Sequence, residues 1–294
     1  MSNTAPMQIG LRIPLGPAIG DLIQIARRAE AAGCDSVWIS DHLVWPVDVH
    51  SRYPYSPTGS APLPPGTPFF DPWVLLAGIA AATTSIRLAT GVYILPLRQH
   101  LVTARAVASL DCLSLGRVIF GVGIGWMEEE FAAAGSDYRT RAARTDEIID
   151  ALRVLWGPGP VEYKGREVSF QALYTDPTPP QGAQLPIYIG GESPAALRRA
   201  ARVGDGWLSM RHTPVSAAAS IASLRELRKQ AGRQDLPFNV TLQAPWPCGP
   251  EIVQDFAEAG VDRLVCYPWE GAGEHWSDDL TGFETWLQKA WPGH

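Results

Sequence analysis

A single-domain α/β fold, a parallel (β/α)8 barrel, is the class this chain predicts, and three observations predict it. Short apolar, β-branched runs alternate with helical stretches eight times over 294 residues, the order that builds a parallel sheet wrapped by helices. Residues 86–131 show the pattern most densely: a strand, an amphipathic helix, a second strand and a glycine-rich exit in immediate succession. The length also suits a barrel of roughly 250 residues with insertions.

Strands are predicted near residues 8–13, 36–39, 86–92, 118–122, 186–189, 205–209, 238–242 and 263–267. Helices are predicted near residues 19–32, 73–83, 102–113, 141–155, 194–202, 216–231, 252–259 and 283–290. In the third helix Leu101, Ala104, Val107, Ala108 and Leu110 recur at helical spacing, giving it a face that can cover a sheet, and Gly116 stops it. Val118, Ile119, Phe120 and Val122 are apolar on both faces of their strand, as a strand between lumen and helix layer requires. Asp71-Pro72 supplies a cap and a first-turn proline, and Ser193-Pro194 repeats the device.

Two segments exceed ordinary loop length. Residues 41–70 hold seven prolines together with Trp45, Tyr53, Tyr55, Phe69 and Phe70; they read as a stiff lid whose rings need burial, or as a surface excursion. Residues 157–185 contain Val161-Glu162-Tyr163, Lys164-Gly165 and Val168-Ser169-Phe170, a short hairpin followed by a proline-rich return. Neither calls for a second domain or an internal repeat, so residues 1–294 are one domain.

Composition narrows the function. With 46% hydrophobic and 18% charged residues the chain has apolar material for one large core, and a formal charge of -6 without any Lys/Arg block gives no footprint for nucleic acid. The apolar stretch 72–82 is too short for a bilayer and residues 1–7 lack the regions of a signal peptide, so no membrane association and a cytoplasmic location are expected. Cys34, Cys112, Cys248 and Cys266 show no Cys-x-x-Cys spacing and are expected to be reduced. The six histidines form no His-x-His or His-Glu-x-x-His pair and no Gly-x-Ser-x-Gly elbow occurs, which argues against a metal site and a serine hydrolase.

Barrel chemistry sits at the C-terminal ends of the strands. Asp41-His42 follows the second strand, where an imidazole can exchange a proton with a substrate carbonyl or hydroxyl, or merely satisfy a neighbouring carbonyl. Thr90-Gly91-Val92 ends the third. Gly190-Gly191-Glu192-Ser193 ends the fifth and opens a helix at Pro194, so free amides and the helix dipole are expected to hold a phosphate at the mouth; a tight turn would use the same glycines. Gly121-Val122-Gly123-Ile124-Gly125 lacks the helix phase of a dinucleotide fingerprint and reads as backbone approaching a ligand closely. Trp207, Met210, Trp246, Tyr267 and Trp269 suggest an aromatic, apolar substrate pocket, with core packing as the alternative.

Several motifs share one resemblance. Ser40-Asp41-His42, Asp71-Pro72, Arg105, Leu110-Asp111, Leu113-Ser114, Gly116-Arg117, Gly121-Val122-Gly123, Gly125-Trp126, residues 141–146 and Pro186-Ile187-Tyr188-Ile189-Gly190-Gly191 stand in this order. The set resembles the luciferase-like monooxygenase superfamily and, within it, the coenzyme F420 (deazaflavin)-dependent oxidoreductases, over the chain up to about Trp207. The resemblance implies a bacterial-luciferase-like TIM barrel with insertions after strand two and before strand five. It implies that His42 lies near the reactive ring carbon, that Asp41 bonds the cofactor's edge, and that a non-prolyl cis peptide at Gly91-Val92, beside Thr90, supports the ring. Gly121 and Gly123 would approach the ring, and Gly190, Gly191 and Ser193 its phosphate. Trp45 resembles an active-site tryptophan of the branch's sugar-phosphate dehydrogenases, with Ile124 and Trp126 adding to the substrate pocket. Those dehydrogenases carry an acid glutamate where this chain has Ile124, and their sugar-phosphate-binding basic residues have no evident counterpart past Trp207, so that activity is not expected. The implied function is F420-dependent hydride transfer to or from an apolar small-molecule substrate. A reduced-FMN-dependent two-component monooxygenase and a catalytically silent flavin-binding protein stay open beside it. Relatives of this fold pair through helices on the barrel's side, so a homodimer is expected.

Overall fold

The computed structural model describes residues 7–61, 63–64, 66–269 and 273–290. Eight parallel strands close a barrel: β1 (Gln8–Arg12), β2 (Ser36–Ile39), β3 (Arg87–Thr90), β5 (Val118–Gly123), β8 (Ile187–Gly190), β9 (Gly206–Ser209), β10 (Asn239–Gln243) and β11 (Arg263–Cys266). They neighbour one another in that order, and β11 returns to β1 with Gln8 opposite Arg263 and Leu11 opposite Cys266. The two-residue β4 (Tyr93–Ile94) extends β3 past a break and pairs with the end of β5. The predicted hairpin is present as β6 (Val161–Lys164) and β7 (Ser169–Leu173).

Around the barrel run α1 (Ile19–Ala31), α2 (Pro72–Ala82), α3 (His100–Leu113), α4 (Glu128–Ala133), α5 (Arg141–Leu155), α6 (Pro194–Val203), α7 (Pro214–Gln230), α8 (Pro250–Glu258) and α9 (Trp276–Ala290). Asp71 caps α2 by accepting from the amides of Trp73 and Val74, and Ser193 caps α6 through the Ala196 amide. Two helices differ from the sequence reading. The short α4 begins with three glutamates, which lack an apolar stripe. The last helix begins at Trp276 rather than 283, because Leu280, Phe283 and Leu287 form one buried face across its acidic first turn.

Strand alternation divides the core. Trp38, Ala89, Ile119, Tyr188, Leu208 and Val265 fill the lumen, while their neighbours Val37, Leu88, Val118, Ile189, Trp207 and Leu264 face the helices. At the N-terminal end Arg263, 2% exposed, is held by Asp35 at 2.7 Å and by Gln8 at 2.5 Å. This polar plug leaves the opposite end as the open mouth. The four cysteines are free, and among the described residues no helix is long and apolar enough to cross a membrane.

Candidate active site

His42 stands three residues beyond β2 at the mouth. Its Nδ1 lies 3.0 Å from Glu130 Oε2, and the other oxygen of that carboxylate accepts the Leu43 amide at 2.6 Å. Glu130 is fully buried and His42 is 12% exposed at its side chain, so one ring nitrogen is anchored inside the protein. An ionised Glu130 can only accept, so Nδ1 donates to it and Nε2 is left outside that contact.

Aromatic rings enclose this pair. Ring centroids of Trp45 and Phe69 lie 5.1 Å from that of His42, and Trp126 lies at 6.1 Å, all edge-on. Trp45 stacks on Phe69 with planes 7° apart, and Tyr53 meets Trp126 at 5.2 Å. The described residues of the 41–70 segment therefore form a lid over the mouth, and α4 holds them. Glu129 accepts the amides of His50 and Ser51 at 2.7 and 3.0 Å, and Ser51 Oγ accepts the Glu128 amide at 2.9 Å. Burial alone would raise the Glu129 carboxyl, but these donors bring it down to about 2.

The structure alters the role expected of Asp41. Oδ1 accepts from Arg98 at 2.7 Å and Oδ2 from the Ile94 amide at 3.0 Å, so both oxygens of this buried side chain are already engaged by the protein. Asp41 ties the β2 exit to the segment after β3 and thereby places His42. Burial raises its pKa, against Arg98 and the Ile94 amide.

The Gly91-Val92 peptide is cis, and both residues are half-buried at the mouth between β3 and β4. The glycines around it serve this bulge rather than an open ligand face. A Cβ on Gly121 would lie 1.9 Å from the Thr90 carbonyl oxygen, and one on Gly123 or Gly190 would lie 2.5 Å from a Val92 methyl. Thr90 is itself fully buried and donates to the Gly121 carbonyl at 2.7 Å, so its hydroxyl joins strands instead of facing a ligand.

At the end of β8 the expected free donors are partly committed. The Gly191 amide bonds the Leu208 carbonyl at 3.2 Å, and Ser193 Oγ accepts from the Ala196 amide at 3.1 Å as a helix cap. Two of the expected pocket tryptophans are corrected to core. Trp207 is fully buried, turns toward the helix layer and donates to the Gly191 carbonyl at 2.7 Å. Trp269 is 6% exposed and donates to the Arg12 carbonyl at 2.6 Å. Ile124 and Trp126 remain half-buried at the mouth, with Trp45.

Sequence reasoning missed Glu130 and Arg12. The only signal for the first was an acidic run, Glu128-Glu129-Glu130, directly after an apolar strand exit. Arg12 ends β1 at the mouth, next to Ser40.

The family model for luciferase-like monooxygenases matches residues 2–277. An uncharacterised protein of Mycobacterium tuberculosis is 36% identical over 82% of this chain and 80% of its own length. An F420-dependent glucose-6-phosphate dehydrogenase of Kineococcus radiotolerans is 31% identical over 81% of this chain and 67% of its own. Among solved structures, an F420-dependent secondary alcohol dehydrogenase in complex with an F420-acetone adduct superposes with a TM-score of 0.78, at 18% identity over 97% of this chain and 99% of that one. A monooxygenase from Streptomyces bottropensis superposes at 0.74, with 20% identity over 96% and 99%; at such identities the likeness is one of fold.

Proposed function

We propose that the chain, which belongs to the luciferase-like monooxygenase family, is an F420-dependent oxidoreductase passing hydride between the deazaflavin and an apolar organic carbonyl or alcohol. The observation that carries this reading is His42, fixed through Nδ1 by a buried glutamate inside an aromatic enclosure, in the same mouth as the Gly91-Val92 bulge. A planar ring fits such a place. Gly91 offers bare backbone there, Val92 a branched apolar side chain, and Trp45, Phe69 and Trp126 supply the apolar walls.

Bound there, the deazaflavin would supply or accept hydride at its ring carbon. The chain's own residues manage the proton. With Nδ1–H held by Glu130, His42 as the imidazolium gives its Nε2 proton to a carbonyl oxygen as it becomes an alcohol, and as the neutral ring it takes that proton back in the reverse direction. Glu130 accepts the Nδ1 proton throughout, so that only the Nε2 proton moves. The lid rings exclude water, which strengthens both contacts. Ile124 has no proton to offer, so His42 acts without an acid partner from that position. Gly190, Gly191 and Ser193 border the mouth where the cofactor's phosphate would lie, though the Gly191 amide and Ser193 hydroxyl are held by the protein.

Equilibrium binding of oxidised F420 and of FMN to purified apoprotein tests the assignment. F420 is expected to bind at least about tenfold more tightly, a difference of about 1.4 kcal/mol. Tighter FMN binding, with oxygen consumption when reduced FMN is supplied, would refute it.

A further inference from the structure

Arg12 sets a guanidinium into the wall of the mouth at the end of β1. Its Nε and Nη2 donate to Ser40 Oγ at 2.9 and 2.6 Å, and Nη1 donates to Gln243 Oε1 at 2.9 Å. Of the five N–H groups of an arginine these contacts use three, leaving one on each terminal nitrogen. The guanidinium carbon lies 5.3 Å from the Tyr267 ring centroid.

Both hydrogen-bond partners are neutral. Among the described residues no carboxylate forms an ion pair with Arg12, whereas Arg98 has Asp41, Arg199 has Asp146 and Arg263 has Asp35. Burial draws the Arg12 pKa below the ordinary arginine value, partly offset by the Tyr267 and Tyr53 phenols. A cation withdrawn from water without a counter-charge is unfavourable until a ligand supplies one.

Space for such a ligand adjoins it. Gln243 and Tyr267, the residues against Arg12, also line a cavity of about 310 Å³ at the ends of β9, β10 and β11, with Arg211, His212 and Trp246 around it. Glu192, the carboxylate near His212, is engaged by Ser209 Oγ and the Met210 amide rather than by Arg12. Two free N–H groups on a planar fork match the two oxygens of a carboxylate.

We propose that Arg12, steadied by Ser40 and Gln243, is the anchor for a carboxylate on the ligand, so that the substrate is an apolar organic acid. The word substrate rests on the oxidoreductase reading above. The anion site itself rests on the absence of an ion-paired carboxylate among the described residues and on the adjoining cavity.

The test is calorimetric binding of phenylacetate and of its neutral counterpart phenylacetamide to the full chain, as apoprotein and with F420 present, for wild type, Arg12→Met and Arg12→Lys. F420 affinity is titrated separately for each protein. The acid is expected to bind about tenfold or more tightly than the amide, as a charge-assisted bidentate pair allows. Arg12→Met should abolish that preference and leave F420 affinity within about threefold, while Arg12→Lys keeps part of the preference because it retains charge without the fork. Equal affinities in wild type, no binding of the acid, or a preference that survives Arg12→Met would overturn the proposal. So would a loss of F420 affinity in Arg12→Met when wild type loaded with F420 shows no acid preference, because the arginine would then serve the cofactor's own anionic groups. Should Arg12→Met fail to fold, the wild-type comparison and Arg12→Lys decide. If F420 does not bind but the acid preference and its loss appear in the apoprotein, the anion site stands and the cofactor reading falls.

Discussion

Glu130→Gln separates placement of His42 from mere packing. The glutamate is fully buried and its two oxygens serve the Leu43 amide at 2.6 Å and His42 Nδ1 at 3.0 Å. Glutamine has nearly the same shape and can still accept from Leu43, but it then points an NH2 group at Nδ1. A donor facing Nδ1 favours the tautomer with its proton on Nε2, reversing the polarity of the nitrogen that meets the substrate. Loss of one charge-assisted hydrogen bond costs about 1.5–3 kcal/mol of stability, or a fall in Tm of several degrees for a chain of this size. Hydride transfer should slow much more, by about 10²-fold or greater, because a mispositioned proton forfeits most of the general acid–base contribution. Two measurements check this: nitrogen-15 chemical shifts of the His42 ring, which report the tautomer, and single-turnover hydride transfer with F420. An unchanged tautomer together with an unchanged rate would refute the reasoning. A lower Tm without either change would make Glu130 a packing residue.

Four further outcomes are expected. His42→Ala should lower turnover by about 10²-fold and leave F420 affinity within about threefold, since the proposed ring contacts come from Gly91, Val92 and the lid aromatics rather than from the imidazole; a large loss of cofactor binding would assign His42 to holding the ring. Gly121→Ala should destabilise by about 3 kcal/mol or more, read from denaturant unfolding, because its Cβ would lie 1.9 Å from the Thr90 carbonyl oxygen. Glu129, lowered from 4.5 to about 2 in the folded protein, contributes stability above about pH 4.5 that is lost as pH falls toward 2; the Tm gap between wild type and Glu129→Gln should therefore be widest near neutrality and shrink below that point. A homodimer formed through α2 and α3, which expose Val74 and Val102 to 66% and 68%, should scatter light as twice 31.9 kDa, and a single 31.9 kDa species would reject it.

The barrel was legible in the sequence because strand and helix periods are local. Residues 36–39 and 141–155 match the observed bounds of β2 and α5, and Asp71-Pro72 and Ser193-Pro194 mark helix starts by chemistry confined to four residues. Which way a barrel side chain faces was less legible. Gly206–Ser209 is buried along nearly its whole length, so its composition does not say that Leu208 enters the lumen while Trp207 turns outward. A pocket inferred from tryptophans near strand ends therefore included Trp207 and Trp269, two members of the core.

Contacts across the mouth lie further beyond local patterns. His42 and Glu130 are 88 residues apart, and Arg12 and Gln243 are 231 apart. Each pair becomes recognisable only when the closed barrel brings the strand ends together. The glycine-rich exit shows the same limit from another side. Gly121 and Gly123 do mark a close approach, as their residue type implies, but a missing Cβ does not identify the atom that fills its place. Here those atoms are the Thr90 carbonyl and the Val92 methyls, so the glycines act on a ligand only through the bulge they make room for. Restoring a Cβ at Gly123 should accordingly disturb Val92 and the ring surface proposed there together, whereas removing the Ser193 hydroxyl should cost the cap of α6.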